Sequence, residues 1–341
     1  MPDPLATAFA GGMSSPGPVA PTAAAACRLR PLPLGAARIT GGVWAVRQRA
    51  NRAAIRKGSA ADVYEWLETA AWEYGREPDA DLLRALRAVT PPVRVGQAGH
   101  LLRAAIAQVR ATGDRRPLQV ATEVADVLDG SDDSHPALAM ALVELFRETD
   151  NHRYLDLARH IVDTHRPTRP GYLAAGAADV AIEQDDGDLL DALARDEPAD
   201  SGPGGLHWAW RMLLATGEPH YADLAERLLD TSDPRTLASL DNYLATSDAD
   251  GVQLHLYAPC LVTARLGEGQ IQVAVEVEGN RIRARILDAP RREWTLSIRV
   301  PAWAGAAQLR VDGGAQRAWA GTYAEVVRAH RPGDTIDLVL R

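Results

Sequence analysis

The chain has 341 residues, 46% hydrophobic and 24% charged, with a formal net charge of -8. This is the composition of a globular protein with room for two domains. The acidic balance disfavours a nucleic-acid partner, which calls for basic side chains against phosphates, and no apolar run approaches the roughly 18 residues of a membrane span.

Residues 1–26 are rich in Ala, Pro, Gly and Ser, and residues 1–35 are expected to form a disordered leader. They lack the basic start and apolar stretch of a secretory signal, so the expected location is cytoplasmic.

From 43 to 246 the pattern is helical. Val63, Trp66, Leu67 and Ala70 follow the i, i+3, i+4, i+7 spacing of a helix with one apolar face. Similar segments begin near Gly99, Pro117, Pro136, Arg153, Gly171, Gly187, Gly205, Tyr221 and Pro234. A turn recurs between them. Ala111-Thr112-Gly113-Asp114, Glu148-Thr149-Asp150-Asn151 and Ala215-Thr216-Gly217-Glu218 each precede a helix, and Gln184-Asp185-Asp186-Gly187 is a degenerate copy. One helix ends on a Gly or Asn in the left-handed conformation, and an acidic residue favours the next helix start. Helix hairpins repeated in this way stack into a solenoid or close into a toroid. Residues 36–248 are read as an α/α barrel-like domain of ten to twelve helices.

The texture changes near Asp250. Residues 252–257, 270–277, 281–287, 294–300, 308–311 and 335–340 alternate with the period of strands, separated by Gly, Asp, Asn and Pro. Residues 249–341 are read as an antiparallel β-sandwich, with Trp294 and Trp303 at least partly buried.

Several strings in this order carry a resemblance. They include Arg38-Ile39-Thr40-Gly41-Gly42-Val43-Trp44, Asp62-Val63-Tyr64-Glu65-Trp66-Leu67-Glu68, Ala98-Gly99-His100-Leu101 and His135-Pro136-Ala137-Leu138. Further along come Trp210-Arg211-Met212-Leu213, Asp250-Gly251-Val252-Gln253-Leu254-His255-Leu256-Tyr257, Arg299-Val300-Pro301-Ala302-Trp303 and Arg331-Pro332-Gly333-Asp334. Together they resemble glycoside hydrolase family 127, the β-L-arabinofuranosidase family. The resemblance implies an α/α barrel followed by β-sandwich material, and a carbohydrate ligand. It also implies a zinc-supported thiolate nucleophile, built from a Glu-x-Cys motif and a Cys-Cys-Pro-Pro-Asn motif. Neither motif is present: the corresponding stretches read Gly202-Pro203-Gly204-Gly205-Leu206-His207-Trp208 and Thr231-Ser232-Asp233-Pro234-Arg235. Cys27 and Cys260 cannot supply the set, so no metal or other cofactor is expected and no catalytic residue is assigned.

Five residues are candidates for sugar binding. His100 and His135 match family positions where imidazoles face the sugar. His135 stands before a Pro at a helix start, where the dipole favours a neutral ring. They are 35 positions apart, about one repeat, which sets both at one rim of a toroid. His207 and Trp208 read as pocket lining or as core aromatics, and Trp66 as a stacking platform. Asp62, Glu65 and Glu68 read as a solvated helix edge, and Glu183 to Asp186 as a charged turn. The functional expectation is a family 127-like carbohydrate-active protein with an impaired catalytic centre. The alternative is a helical-repeat scaffold without activity. The oligomeric state is not legible.

Overall fold

The computed structural model describes residues 15–58, 62–128, 136–167, 171–195, 204–229 and 233–341. Two short strands come first, β1 (Arg30–Pro31) and β2 (Ala37–Ile39). Twelve α-helices follow among the described residues. They are α1 (Gly42–Arg56), α2 (Val63–Arg76), α3 (Ala80–Ala88), α4 (Ala98–Thr112), α5 (Arg116–Asp126) and α6 (Leu138–Thr149). Then come α7 (His152–His165), α8 (Tyr172–Gln184), α9 (Gly187–Arg195), α10 (Gly205–Thr216), α11 (Pro219–Leu228) and α12 (Pro234–Ser239). The even-numbered helices form an inner ring. α2 packs on α4, α4 on α6, α6 on α8 and α8 on α10, while α12 closes back on α2. The odd-numbered helices pack outside them.

The composition of the inner helices explains their place. Every residue of α8 from Ala174 to Ile182 is buried, because both flanks and the axial face meet other helices. Small residues let the helices approach closely. A Cβ on Gly176 would lie 2.7 Å from the backbone N of Met140 in α6.

The recurrent turn has one structure. α4, α6, α8 and α10 end on Gly113, Asp150, Asp185 and Gly217, with φ of 72°, 57°, 53° and 73°. In the second copy Asp150 takes this position, not Asn151, which instead caps α7 by accepting from Arg153 N. In three copies the Thr just before accepts the second amide of the turn and donates back four residues. Thr112, Thr149 and Thr216 donate to Gln108, Leu145 and Met212 at 2.6, 2.7 and 2.7 Å. Asp114 N, Asn151 N and Glu218 N donate to those hydroxyls.

Ten more strands complete the chain. They are β3 (Ala245–Ser247), β4 (Gly251–Leu254), β5 (Cys260–Leu266), β6 (Gly269–Glu278) and β7 (Arg281–Asp288). β8 (Trp294–Val300), β9 (Ala307–Val311), β10 (Gly314–Ala318), β11 (Thr322–Arg328) and β12 (Thr335–Leu340) follow. One sheet has the order β1-β3-β4-β8-β11, the other β10-β9-β12-β7-β6-β5-β2. All pairs are antiparallel except β4 with β8. Trp294 is buried as expected; Trp303 is 65% exposed and departs from that expectation.

The expectation of a disordered leader is corrected from Ser15 onward; residues 1–14 lie outside the described residues. Residues 15–35 cross the end of the ring where the inner helices finish. Ala26 N donates to Ile182 O of α8, and Arg28 N and Leu29 N to Leu214 O of α10. Thr22 bonds Glu183, Arg110 Nη1 donates to Gly17 O, and Val19, Leu29 and Leu32 are buried. Helix C-termini carry carbonyls without partners inside the helix, and this segment supplies donors for them. β1 and β2 also join the two sheets, so the sandwich includes residues from before the helices.

Candidate functional site

At the opposite end, the inner helices begin and their first turns surround a mouth. Glu68 of α2, Arg103 of α4 and His207 of α10 line a cavity there that runs inward past Trp72, Met140, Glu144 and Arg211 to Pro18 of the leader. The cavity itself is small, about 30 Å³, room for one water. Arg103 Nη2 donates to Glu68 Oε1 at 2.7 Å, and both side chains are only 7% exposed. Nη1 of Arg103 is buried without a hydrogen-bond partner. The guanidinium lies 5.1 Å from the ring centroid of Tyr172, the first residue of α8, and that ring is 5.4 Å from the ring of His207. Gly204 makes this packing possible. It has φ of 92°, and a Cβ there would fall 2.5 Å from Tyr172 N.

Burial, and then the charges of Arg103, Arg211 and Arg235, hold the His207 imidazole well below its usual pKa. It is therefore a neutral ring at neutral pH. Deeper in, a buried ionic layer closes the axis. Arg110 Nη2 and Arg147 Nη1 donate to Glu144 at 2.7 and 2.5 Å, and Arg147 also meets Asp179 and Glu183 at 2.9 and 2.7 Å. Arg211 pairs with Asp179. Burial pushes the Glu144 carboxyl up, but Arg147, Arg110 and Arg211 outweigh it and hold it below the ordinary range.

The expected site residues separate. His207 stands in the cavity wall. His100 is half-buried in the first turn of α4, one turn before Arg103. His135 lies outside the described residues. The two tryptophans are corrected as stacking platforms. Trp66 is buried with its Nε1 donating to Ile55 O of α1 at 3.1 Å, and Trp208 is 1% exposed, edge-on to Tyr221 of α11. Both face outer helices, not the mouth. Glu68 is no solvated edge but half of a buried ion pair; Asp62 caps α2, accepting from Tyr64 N at 3.0 Å. Glu183 likewise is buried against Arg147. Arg103 and Tyr172 had no motif to announce them; the signal available was Arg103 one turn after His100 on the same helix.

The donor set does not fit the family's zinc. The cavity is lined by one imidazole, His207, and two carboxylates, Glu68 and Glu144, each already held by arginine, and the charges of Arg103, Arg211 and Arg235 act on the imidazole. Among the described residues no group of three or more His, Cys, Asp or Glu could hold a metal. Cys260 opens β5 in the sandwich, where burial pushes its thiol up to about 12. Cys27 belongs to the segment across the far end, also raised by burial. A second opening, about 420 Å³ and lined by Leu83, Leu86, Val89, Leu101 and Pro117 among others, is an apolar groove on the outer wall between α3 and α5. Its lining is apolar, whereas the cluster at the mouth is polar and charged.

Fold and mouth define the class: an inner ring of helices with a polar opening, joined to a β-sandwich. Known proteins make it specific. The model described as Beta-L-arabinofuranosidase, GH127 catalytic domain matches residues 87–192, and that of the GH127 middle domain matches residues 251–341. A non-reducing end beta-L-arabinofuranosidase of Bifidobacterium longum subsp. longum is 30% identical over 148 residues, covering 30% of this chain and 22% of that protein. The match thus spans less than a quarter of this curated relative. A solved glycoside hydrolase aligns with a TM-score of 0.84 and 20% identity, over 96% of this chain and 80% of its own. A GH127 beta-arabinofuranosidase gives 0.77 and 17%, over 93% and 81%. A GH127 beta-L-arabinofuranosidase from Geobacillus stearothermophilus T6 gives 0.70 and 18%, over 86% and 75%. At these identities the structures speak for the fold. The chain belongs to glycoside hydrolase family 127. No helix among the described residues is long and apolar enough to cross a membrane.

Proposed function

We propose that this protein is a carbohydrate-binding member of its family that holds a sugar at the barrel mouth and lacks the thiolate mechanism. The observation that carries this reading is the cluster of Glu68, Arg103, Tyr172 and His207, which contains no thiol. Its chemistry suits a polyol. Arg103 Nη1 is a buried donor without a partner, the neutral His207 can donate and accept, and Tyr172 adds a ring at the rim. His100, at the opening turn of α4, is the next group a sugar would meet. His135 keeps its proposed role from the sequence alone.

Hydrolysis through two carboxyls needs one protonated acid and one carboxylate flanking the bond. Glu68 and Glu144 both line the cavity, yet arginines hold both. An ion-paired carboxylate is a poor proton donor, which supports binding without turnover. Isothermal titration with arabinose, galactose and their methyl glycosides tests the reading, alongside a furanosidase assay with and without added zinc. Millimolar binding that H207A weakens, with no turnover, is the expected result. No heat with any sugar would refute sugar binding; zinc-dependent turnover would refute the loss of mechanism.

A further inference from the structure

Trp303 and Trp319 are 65% and 60% exposed, whereas most large aromatic side chains fill cores. They share one corner of the sandwich. Strands β8 and β11 pair with Val300 opposite Thr322. Past that pair Gly321 N donates to Val300 O at 2.8 Å, and a Cβ on Gly321 would lie 3.9 Å from that of Ala302. Beyond this pair both chains leave the ladder, Ala302–Ala304 as a 3-10 helix, so Trp303, one residue past Ala302, and Trp319, two residues before Gly321, stand on the two segments that part at this corner. Each indole has a charged neighbour. Trp303 Nε1 donates to Glu226 Oε2 of α11 at 3.1 Å, Trp319 O accepts from Thr322 Oγ1 at 2.7 Å, and the Arg317 guanidinium lies 4.0 Å from the Trp319 ring centroid.

We propose that Trp303 and Trp319 form a saccharide-binding platform on the sandwich, separate from the barrel mouth, that takes a neutral polysaccharide chain. The extent of the patch chooses this occupant over a protein. Two indoles at these exposures present roughly 300 Å², against the roughly 800 Å² per partner of a stable protein interface. Among the described residues the other exposed large apolar side chain of the sandwich, Val327, is five residues along β11 from Thr322, so no aliphatic surface extends the patch. A sugar ring matches what is there. Its C–H face stacks on an indole, and its hydroxyls meet charged groups at the edge, here Glu226 and Arg317. This proposal does not rest on the mouth being a sugar site, and its test separates the two.

Native gels cast with arabinan, arabinoxylan or hydroxyethylcellulose, and a gel without polysaccharide, read the binding directly. The full chain should be retarded by at least one of them. W303A and W319A should each weaken binding roughly tenfold, the scale of one lost aromatic stacking contact. W319F should retain part of it, and H207A all of it. Matching circular dichroism melts would show that the variants fold. The proposal is overturned if no polysaccharide retards the protein, if the W303A/W319A double variant is retarded as before, or if H207A abolishes retardation. It is also overturned if size-exclusion chromatography shows the tryptophans holding two copies together.

Discussion

Glu226 Oε2 accepts from Arg299 Nη2 at 2.9 Å, and this contact ties the sandwich to the helical ring. Arg299 stands on β8 and is fully buried; Glu226 is on α11. The same guanidinium pairs with Asp223, one turn earlier on α11, and its Nε donates to His255 O at 2.6 Å. All three nitrogens are therefore used at the junction. Removing the arginine leaves the largely buried Asp223 carboxylate and the buried His255 carbonyl without their partner. Breaking a buried pair from one side costs about 3–5 kcal/mol. R299A should lose that much in urea unfolding. E226Q should lose less, because the Glu226 side chain is 31% exposed and can be hydrated. Equal, sub-kilocalorie losses in both would mean that the junction is held by apolar packing alone.

The same junction makes stability depend on pH. His255 is buried, with Nδ1 bonded to Tyr323 Oη at 2.6 Å and Nε2 to Thr246 Oγ1 at 2.7 Å. Burial, then the charge of Arg299, pushes its pKa down to about 3. The unfolded chain binds this proton near pH 6.5, so below that pH the unfolded state takes up more protons than the native one. Stability is whole above about pH 6.5 and falls as pH drops toward the folded value. Between pH 6.5 and 4.5 the loss from this one group is roughly 2 kcal/mol. His207, lowered for the same first reason, adds in the same sense. Urea midpoints across that range should fall with acid, and H255Q should flatten the slope. An unchanged slope in H255Q would show that other groups set it.

The segment before the first helix should behave as core. Leu32 is 2% exposed, and its neighbours hydrogen-bond the carbonyl ends of α8 and α10. Truncating a buried leucine costs about 2–5 kcal/mol. L32A should fall in that range, and hydrogen exchange should find the amides of Ala26, Arg28 and Leu29 protected. A neutral L32A with fast-exchanging amides would return the segment to the disordered reading.

How much of this was legible follows from where the information sits. The helix hairpins could be read because each turn is local: a Thr, a left-handed residue and the next start lie within four positions. Strands β6, β7, β9 and β12 could be read because one sheet face is buried and period 2 shows it; β8 is buried on both faces from Leu296 to Val300, yet its apolar residues still alternate. β5 alternates as cleanly from Cys260 to Leu266, but Pro259 directly before it is a turn residue that masks where the strand starts. The leader misled because its composition is that of a disordered tail. Its order comes from carbonyls on helices some 150 to 190 residues away, which no window sees. The mouth was half legible for the same reason. His207 was named from its own surroundings, whereas Glu68 looked like one acid on a helix edge. Only the side-by-side packing of the successive inner helices α2 and α4 brings Arg103, 35 residues on, against it.

That pair gives the most direct test of whether the mouth is built for a ligand or only for stability. Glu68 and Arg103 are both about 7% exposed, and their bond is 2.7 Å. If the pair is chiefly structural, R103M should be costly, about 3–5 kcal/mol, because it strands a buried carboxylate. E68Q should be milder, since its amide oxygen still accepts from Arg103. Adding E68Q to R103M removes the stranded charge, so the double variant should recover part of the loss. The coupling expected for residues in contact is about 0.5–3 kcal/mol. Sugar binding should follow another order. A mouth that uses the free Arg103 Nη1 as donor loses affinity in R103M and in the double variant alike, although the double variant is the more stable. E68Q, with the guanidinium still present, should bind nearly as the parent does. Urea unfolding and isothermal titration on the same three proteins separate the two roles. Affinity that simply tracks stability across the series would make Arg103 a brace for the barrel and not a sugar contact.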